Sequence, residues 1–232
     1  MKLTNRLLAC ASLVRPGNVA ADIGTDHGYL PIYLLEQGIC PHVFAADIGE
    51  MPLEAAKRSA RRAGITEHIS FCLSDGLEKL PVAELQTIIC AGMGGDCIIG
   101  ILDRAREVWR PGYQFILQPQ SSVSDLRRWL ADQGFDIQRE RLARDGKFIY
   151  TVMEVSFGGS MDLTPGEQFL PMDRFDRQDP LLEDYYRRVL DSLTMTVRGL
   201  TQAKQAPAEQ KEYYGTALKQ VRRMGEQYGF SQ

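Results

Sequence analysis

Long apolar runs are missing from this 232-residue sequence. Nowhere do about 18 apolar residues follow one another, so no segment is expected to span a membrane. Cysteine is sparse and unpatterned: Cys10, Cys40, Cys72, Cys90 and Cys97 are odd in number, never in C-x-x-C spacing, and mostly inside apolar runs, where small core residues sit. A disulfide framework or zinc site is therefore not expected, and a reducing cytoplasm fits. Leu7-Leu8-Ala9-Cys10 imitates a lipoprotein cleavage box. Asn5 and Arg6 break the few residues before it, so no signal-peptide apolar region of roughly 7–15 residues is expected.

Histidine is scarcer still. His42 and His68 fall at strand starts and read as surface residues, and nothing spaces them with His27 or with cysteine as metal ligands. No G-x-S-x-G and no paired nucleophile and base occur, so covalent catalysis has no support and no metal is expected. Net charge is also small, at −3, and does not announce a nucleic-acid binder. Its distribution says more: residues 181–232 carry +2 and the remainder −5, a mildly basic tail on an acidic body.

What is present is an alternation of short apolar runs and amphipathic segments. Residues 4–14 have helical spacing with Thr4 as a candidate N-cap. Runs at 19–23, 42–47, 69–73, 87–91 and 115–117 read as strands, short and without polar alternation, as central parallel strands are. Helical patterns at 30–37, 52–63, 97–108 and 124–131 lie between or after them, the last capped by Ser122 or Ser124, and a short amphipathic piece ends near Leu80. Runs at 135–142 and 148–157 flank the turn Arg144-Asp145-Gly146-Lys147 and read as an antiparallel pair. The expectation is an α/β fold, a doubly wound parallel sheet over residues 1–157 with an antiparallel edge strand. Residues 158–180, rich in Gly, Pro and Asp, read as a connector. Over 181–232, stripes at Leu182, Tyr186, Val189, Leu193, Val197 and Leu200, and at Tyr214, Leu218, Val221, Met224 and Tyr228, predict a coiled-coil-like helical hairpin.

The chain turns on Asp22-Ile23-Gly24-Thr25-Asp26-His27-Gly28-Tyr29, a strand, a tight glycine turn and a helix start. A dinucleotide site needs G-x-G-x-x-G against a pyrophosphate. Here Asp26 stands where the second glycine would be, and its carboxylate would repel phosphate. S-adenosylmethionine has no phosphate and carries an ammonium, so a carboxylate in this turn suits it. A plain turn in which Asp26 only caps the next helix remains the bland alternative. Asp47 ends the second strand at the distance where an acid meets ribose hydroxyls. Asp75-Gly76 after the third strand would put an acceptor near an adenine, or form an ordinary β-turn. Ala91-Gly92-Met93-Gly94-Gly95 and Gln118-Pro119-Gln120 end the fourth and fifth strands at the same sheet edge. The glycines would let backbone approach a ligand, and the Gln amides could pair with a base.

Asp22-Ile23-Gly24-Thr25-Asp26-His27-Gly28-Tyr29-Leu30-Pro31, with Ala91–Gly95, Gln118-Pro119-Gln120 and the opening Leu3-Thr4-Asn5-Arg6-Leu7, resembles the bacterial tRNA (adenine-22-N1)-methyltransferase family. The resemblance covers nearly the whole chain and implies a class I, Rossmann-like methyltransferase using S-adenosyl-L-methionine on tRNA. Carried across, Asp22, Gly24, Asp47, Ile48, Asp75, Gly76, Ala91 and Gly92 would hold the cofactor. Asp26, His27, Tyr29 and Gln118 would serve catalysis, and Arg6, Met93, Gly94 and Pro119 would bind substrate. The Asp/Asn-Pro-Pro-aromatic motif of exocyclic-amino methyltransferases is lacking after the fourth strand, which favours a ring nitrogen.

On this reading the target base leaves its stack, positioning supplies most of the rate, and Asp26 stabilises the charge that N1-methylation places on the ring. Tyr29 would orient the base. The tail, with Arg187, Arg188, Arg198, Lys204, Arg222 and Arg223, could grip tRNA or serve as a stability or dimer element. The rivals are a class I methyltransferase for another nucleobase or small molecule, and a non-catalytic cofactor-binding RNA-binding protein. A nicotinamide dehydrogenase ranks third.

Overall fold

A computed structural model describes residues 3–203 and 205–230, so Lys204 lies outside the described residues. The chain divides into two compact units, residues 1–160 and 161–232.

In the first unit, α1 (Asn5–Leu13), β1 (Ala20–Ile23), α2 (Tyr29–Glu36), β2 (Val43–Asp47), α3 (Glu50–Ala63), β3 (Ile69–Leu73), β4 (Thr87–Met93), α4 (Gly95–Arg104), β5 (Gln114–Pro119) and α5 (Val123–Asp132) precede the hairpin β6 (Phe135–Asp145) and β7 (Phe148–Phe157). The seven strands form one sheet in the order β3-β2-β1-β4-β5-β7-β6. β1 to β5 are mutually parallel, and β7 runs antiparallel to both β5 and β6. The α/β class, the parallel core and the antiparallel pair follow the sequence reading. The antiparallel strand itself is the inner member of the hairpin, and β6 forms the edge. All residues of β1 and β5 are buried, which explains their mostly apolar character, and Asp22, Gln114 and Gln118 are buried polar exceptions. The strand order reverses between β1 and β4, so the crevice at their carboxyl ends is where such sheets hold ligands.

Several boundaries moved for local reasons. α3 starts at Glu50, ahead of Pro52, because proline's missing N–H has no partner to lose in a first helical turn. Leu53, Ala55, Ala56, Ser59 and Ala60 face inward, and Gly64 ends the helix in the left-handed conformation. β4 runs on to Met93 through a bulge at Gly92, whose φ is +83°. The segment before Leu80 is a run of turns, followed by a 3-10 turn at Val82–Glu84, so the short amphipathic piece is not a helix. The stretch expected as one helix to Val108 breaks after Arg104 and resumes as a 3-10 turn, Arg106–Val108. Ser122 is the N-cap of α5, yet its hydroxyl donates to Asp96 Oδ2 at 2.9 Å and does not cap. At the edge, the fully buried Arg127 pairs with Glu140 at 2.7 Å, and Thr151 also donates to that carboxylate.

The second unit contains α6 (Pro165–Phe169), a 3-10 turn (Met172–Arg174), α7 (Leu182–Gln202) and α8 (Ala208–Tyr228). Most of the expected connector therefore belongs to the helical unit. Its α6 is stabilised by a capping box, in which Thr164 and Glu167 exchange bonds, with proline at the first position. Gly166 N–H also donates to Gln220 Oε1 of α8 at 2.6 Å. The hairpin of α7 and α8 buries Leu182, Tyr185, Tyr186 and Leu193 against Ala217, Leu218, Val221 and Gly225. Tyr186 lies so closely on Gly225 that an added Cβ would overlap its ring.

Candidate active site

Three elements build a cavity of about 270 Å3 at the β1/β4 crevice: the β1–α2 turn, the β4 bulge and the start of α1. Its walls include Arg6, Asp22, Gly24, Asp26, His27, Tyr29, Ala91 and Gly92, all expected from the sequence as site residues, and also Thr4, Leu7, Thr25 and Leu30, for which the sequence suggests no site role.

The turn is held in an uncommon backbone. Gly24, Asp26 and Gly28 have φ of +75°, +48° and +70°. Gly28 has a second constraint, because a Cβ there would lie 2.9 Å from Cβ of Ala56 on α3. The N-cap of α2 is Gly28, so Asp26 is not the capping residue and its carboxylate is exposed. Its backbone N–H donates to Asp47 Oδ2 at 3.2 Å, while Asp47 Oδ1 accepts from Gly49 N–H at 2.9 Å. Asp47 thus ties the β1–α2 turn to the β2–α3 turn. His27 Nε2 is 3.7 Å from Asp26 Oδ2, and the His27 and Tyr29 rings stack with centroids 5.2 Å apart.

Asp22 lies at the floor, 4% exposed, and burial above all pushes its carboxyl up to about 7. The charge of Asp47 adds to this, whereas Arg6 and the Thr25 hydroxyl act in the opposite direction. Thr25 Oγ1 is buried and makes no hydrogen bond of good geometry. The neighbouring thiols are core groups: burial pushes Cys10 up to about 12 and raises Cys90 as well. All five cysteines are free.

Arg6 forms the cavity's cationic wall. Its guanidinium covers Gly92, where a Cβ would stand 2.9 Å from Nη1, and Nη1 donates to Gln118 Oε1 at 3.1 Å. Thr4 makes no capping bond to α1. The Asp145 carboxylate of the β6–β7 turn takes that place, accepting the N–H groups of Asn5 at 2.9 Å and Arg6 at 3.2 Å.

The remaining sequence-selected residues lie outside this cavity. Gln118 is fully buried, and its amide is occupied on both sides, by Arg6 and by the Pro119 carbonyl at 3.0 Å. It supports Arg6 from below the cavity. Asp75 accepts from Arg104 Nη2 at 2.8 Å, and Gly76 packs on Ile101. Ile48 projects from the rim, 72% exposed. Met93 reaches across Gly24, where a Cβ would meet its Cε at 3.0 Å, and Gly94 is the N-cap of α4. Thr25 and Leu7 were legible only as turn and helix positions. Among the described residues no group of three or more His, Cys, Asp or Glu is placed to hold a metal ion.

Residues 3–153 match the methyltransferase domain family. This chain belongs to that family. Within it, the chain is 33% identical over 158 residues to the tRNA (adenine(22)-N(1))-methyltransferase of Bacillus subtilis (strain 168), an alignment spanning 68% of this chain and 66% of that protein. The putative tRNA (m1A22) methyltransferase Sp1610 of Streptococcus pneumoniae, solved with S-adenosyl-L-methionine, superposes with a TM-score of 0.79 at 26% identity, covering 96% of this chain and 99% of that one. TrmK of M. capricolum, solved with S-adenosyl-homocysteine, gives 0.77 at 25% identity, covering 97% and 99%. The family resemblance read from the Asp22–Pro31 string is borne out by these methyltransferases.

Proposed function

We propose that this chain transfers a methyl group from S-adenosyl-L-methionine to N1 of adenine 22 in the D-loop of tRNA, a substrate that sets the reaction in the cytoplasm. The observation that carries the reading is the meeting of Asp22, Asp26, the His27–Tyr29 stack and Arg6 around one cavity at the β1/β4 crevice. The donor set fits the cofactor. A buried carboxyl raised to about 7 suits an ammonium group, and an unpartnered Thr25 hydroxyl awaits a polar ligand atom. Gly24 and the bulged Gly92 bring their backbones to the cavity wall, Gly92 beneath the Arg6 guanidinium. Asp47, at the end of β2, is the acceptor for ribose hydroxyls.

When bound, the cofactor supplies an electrophilic methyl carbon on a sulfonium. The protein's part is to present adenine N1 in line with it, which requires the base to leave its stack. The stacked His27 and Tyr29 rings form the platform for that base. Asp26 places its carboxylate where the ring becomes cationic, and its fixed backbone removes the cost of reorganising at the moment of transfer. Arg6, held by Gln118 and Asp145, closes the opposite wall. In the helical unit, Arg188, Arg198, Arg222 and Arg223 are exposed and offer a second contact for tRNA phosphates.

Incubation with radiolabelled cofactor and unmodified tRNA, followed by mapping of the product base, tests the proposal. Label at N1 of adenine 22 is expected. No incorporation, or label on another atom, rejects it.

A further inference from the structure

A second concavity, about 330 Å3, runs down the unit's flank between α2 and α3 and is lined by Tyr29, Glu36, Ser59, Arg62 and Ala63. Tyr29 also lines the active-site cavity, so the two recesses meet at one ring. That ring is 39% exposed and carries His27 stacked against it. From Tyr29 to Glu36 the helix rises about 10 Å, long enough for a nucleotide and its phosphate.

The lining holds one acid, Glu36, and one base, Arg62, with Arg58 and Arg61 beside it on α3. Arg58, Arg61 and Arg62 are exposed on α3, and none forms an ion pair with a carboxylate among the described residues. Lys57 is committed to Glu54 at 2.7 Å. Arg62 has only a long contact, 3.4 Å, to its own helix at the Arg58 carbonyl. Glu36 is the one carboxylate in the lining. Basic residues in a last helical turn complement the helix dipole. That accounts for Arg61 and Arg62, and Arg58 stands one turn from the Glu54 carboxylate, but neither accounts for a recess with an arginine in its wall opening onto the reaction cavity.

We propose that the α2–α3 groove receives the nucleotide adjoining the target adenosine, its base reaching the Tyr29 ring and its phosphate neutralised by Arg62 and Arg58. The inference rests on the proposed tRNA methylation and names a track by which the strand enters that site. Phosphate neutralisation is sequence-independent and salt-dependent, whereas stacking at Tyr29 keeps the neighbouring base in register with the cavity.

The experiment measures tRNA binding over a range of salt concentrations, together with cofactor binding by calorimetry and methyl transfer. It uses the full-length protein and its R58A/R62A, R62K and E36Q variants. For R58A/R62A we expect roughly tenfold or greater loss of tRNA affinity, and a slope of log affinity on log salt shallower by about 1 to 2. Cofactor affinity and melting temperature should stay at the wild-type values. R62K should keep most of the affinity. E36Q should bind tRNA a few-fold more tightly, a gain that misfolding cannot imitate. If wild type methylates adenine 22 while affinity and slope are the same in all variants, the groove proposal is overturned and the functional reading stands. If wild type transfers no methyl group to tRNA, the functional reading falls and takes this inference with it.

Discussion

The turns after β1 and β3 both bring a carboxylate and a glycine to the carboxyl rim of one sheet. At the end of β1, Asp22 is buried beside a Thr25 hydroxyl without a partner, and Gly24 is exposed with only the flexible tip of Met93 against it. After β3, Asp75 is half-exposed and already bonded to Arg104, with Glu78 also 3.7 Å from that guanidinium. Gly76 is buried there because a Cβ would press on Ile101 at 3.1 Å. One turn leaves a buried hydroxyl unsatisfied and its glycine exposed; the other satisfies its acid and uses its glycine for packing. Residue type marks both as ligand positions, and the partners of each group separate them.

Substitutions in the two turns should therefore differ in size and kind. The largest effect is expected at Asp26, where Asn can keep the left-handed backbone. D26N should lower the single-turnover methylation rate about 10²–10³-fold while calorimetry shows cofactor affinity within a few-fold of wild type. A full rate would remove the carboxylate from the mechanism.

D22N comes next, and its effect should change with pH. The Asp22 carboxyl rests at about 7 in the folded chain against an ordinary 3.8, so the fold retains a proton that the unfolded chain releases. The stability this contributes is complete below the ordinary value and is lost as pH rises through about 7. Above that pH the cost is at most roughly 4 kcal/mol. D22N should melt higher than wild type at pH 8.5, with the gap closing toward pH 4. It should also weaken cofactor binding, and wild-type affinity should rise between pH 6 and 8 as the carboxylate ionises. Equal melting temperatures at pH 8.5 would contradict the buried ionisation.

Glycine replacements probe the backbone half of the comparison. G28A meets both a positive φ and Ala56, so a loss of about 2 kcal/mol is expected in denaturant titration. G76A has its own positive φ, +59°, but meets the end of a flexible side chain, and should lose about 1 kcal/mol. A reversed order would mean that packing at Ile101 is the stiffer constraint. The smallest effect belongs to D75A, an exposed residue whose removal frees Arg104. Cofactor affinity should fall no more than about tenfold, measured beside D22N under the same conditions.

The parallel core was legible because its strands are mostly apolar and four of the five run into a turn containing glycine. What pairs across long separations was not. Gln118 reads as a polar strand end suited to a base, but its partner is Arg6, 112 residues away. Asp75 meets Arg104 from a helix 29 residues on. The inner position of β7 depends on the return path of the hairpin, on which alternation is silent. The stretch from 158 to 180 has the composition of a linker, yet Thr164-Pro165-x-Glu167 spells a capping box, a local signal that outweighs composition there.

Asp145 bonds to the backbone of Asn5 and Arg6 across 140 and 139 residues. On the ribosome this makes α1, which emerges before the sheet, one of the last features completed. α1 emerges with its leading N–H groups open, and they find their acceptor only after the β6–β7 turn has been translated. The cavity therefore acquires its final wall only when the whole sheet is available, and a nascent chain holding every other part of the turn still lacks the finished site.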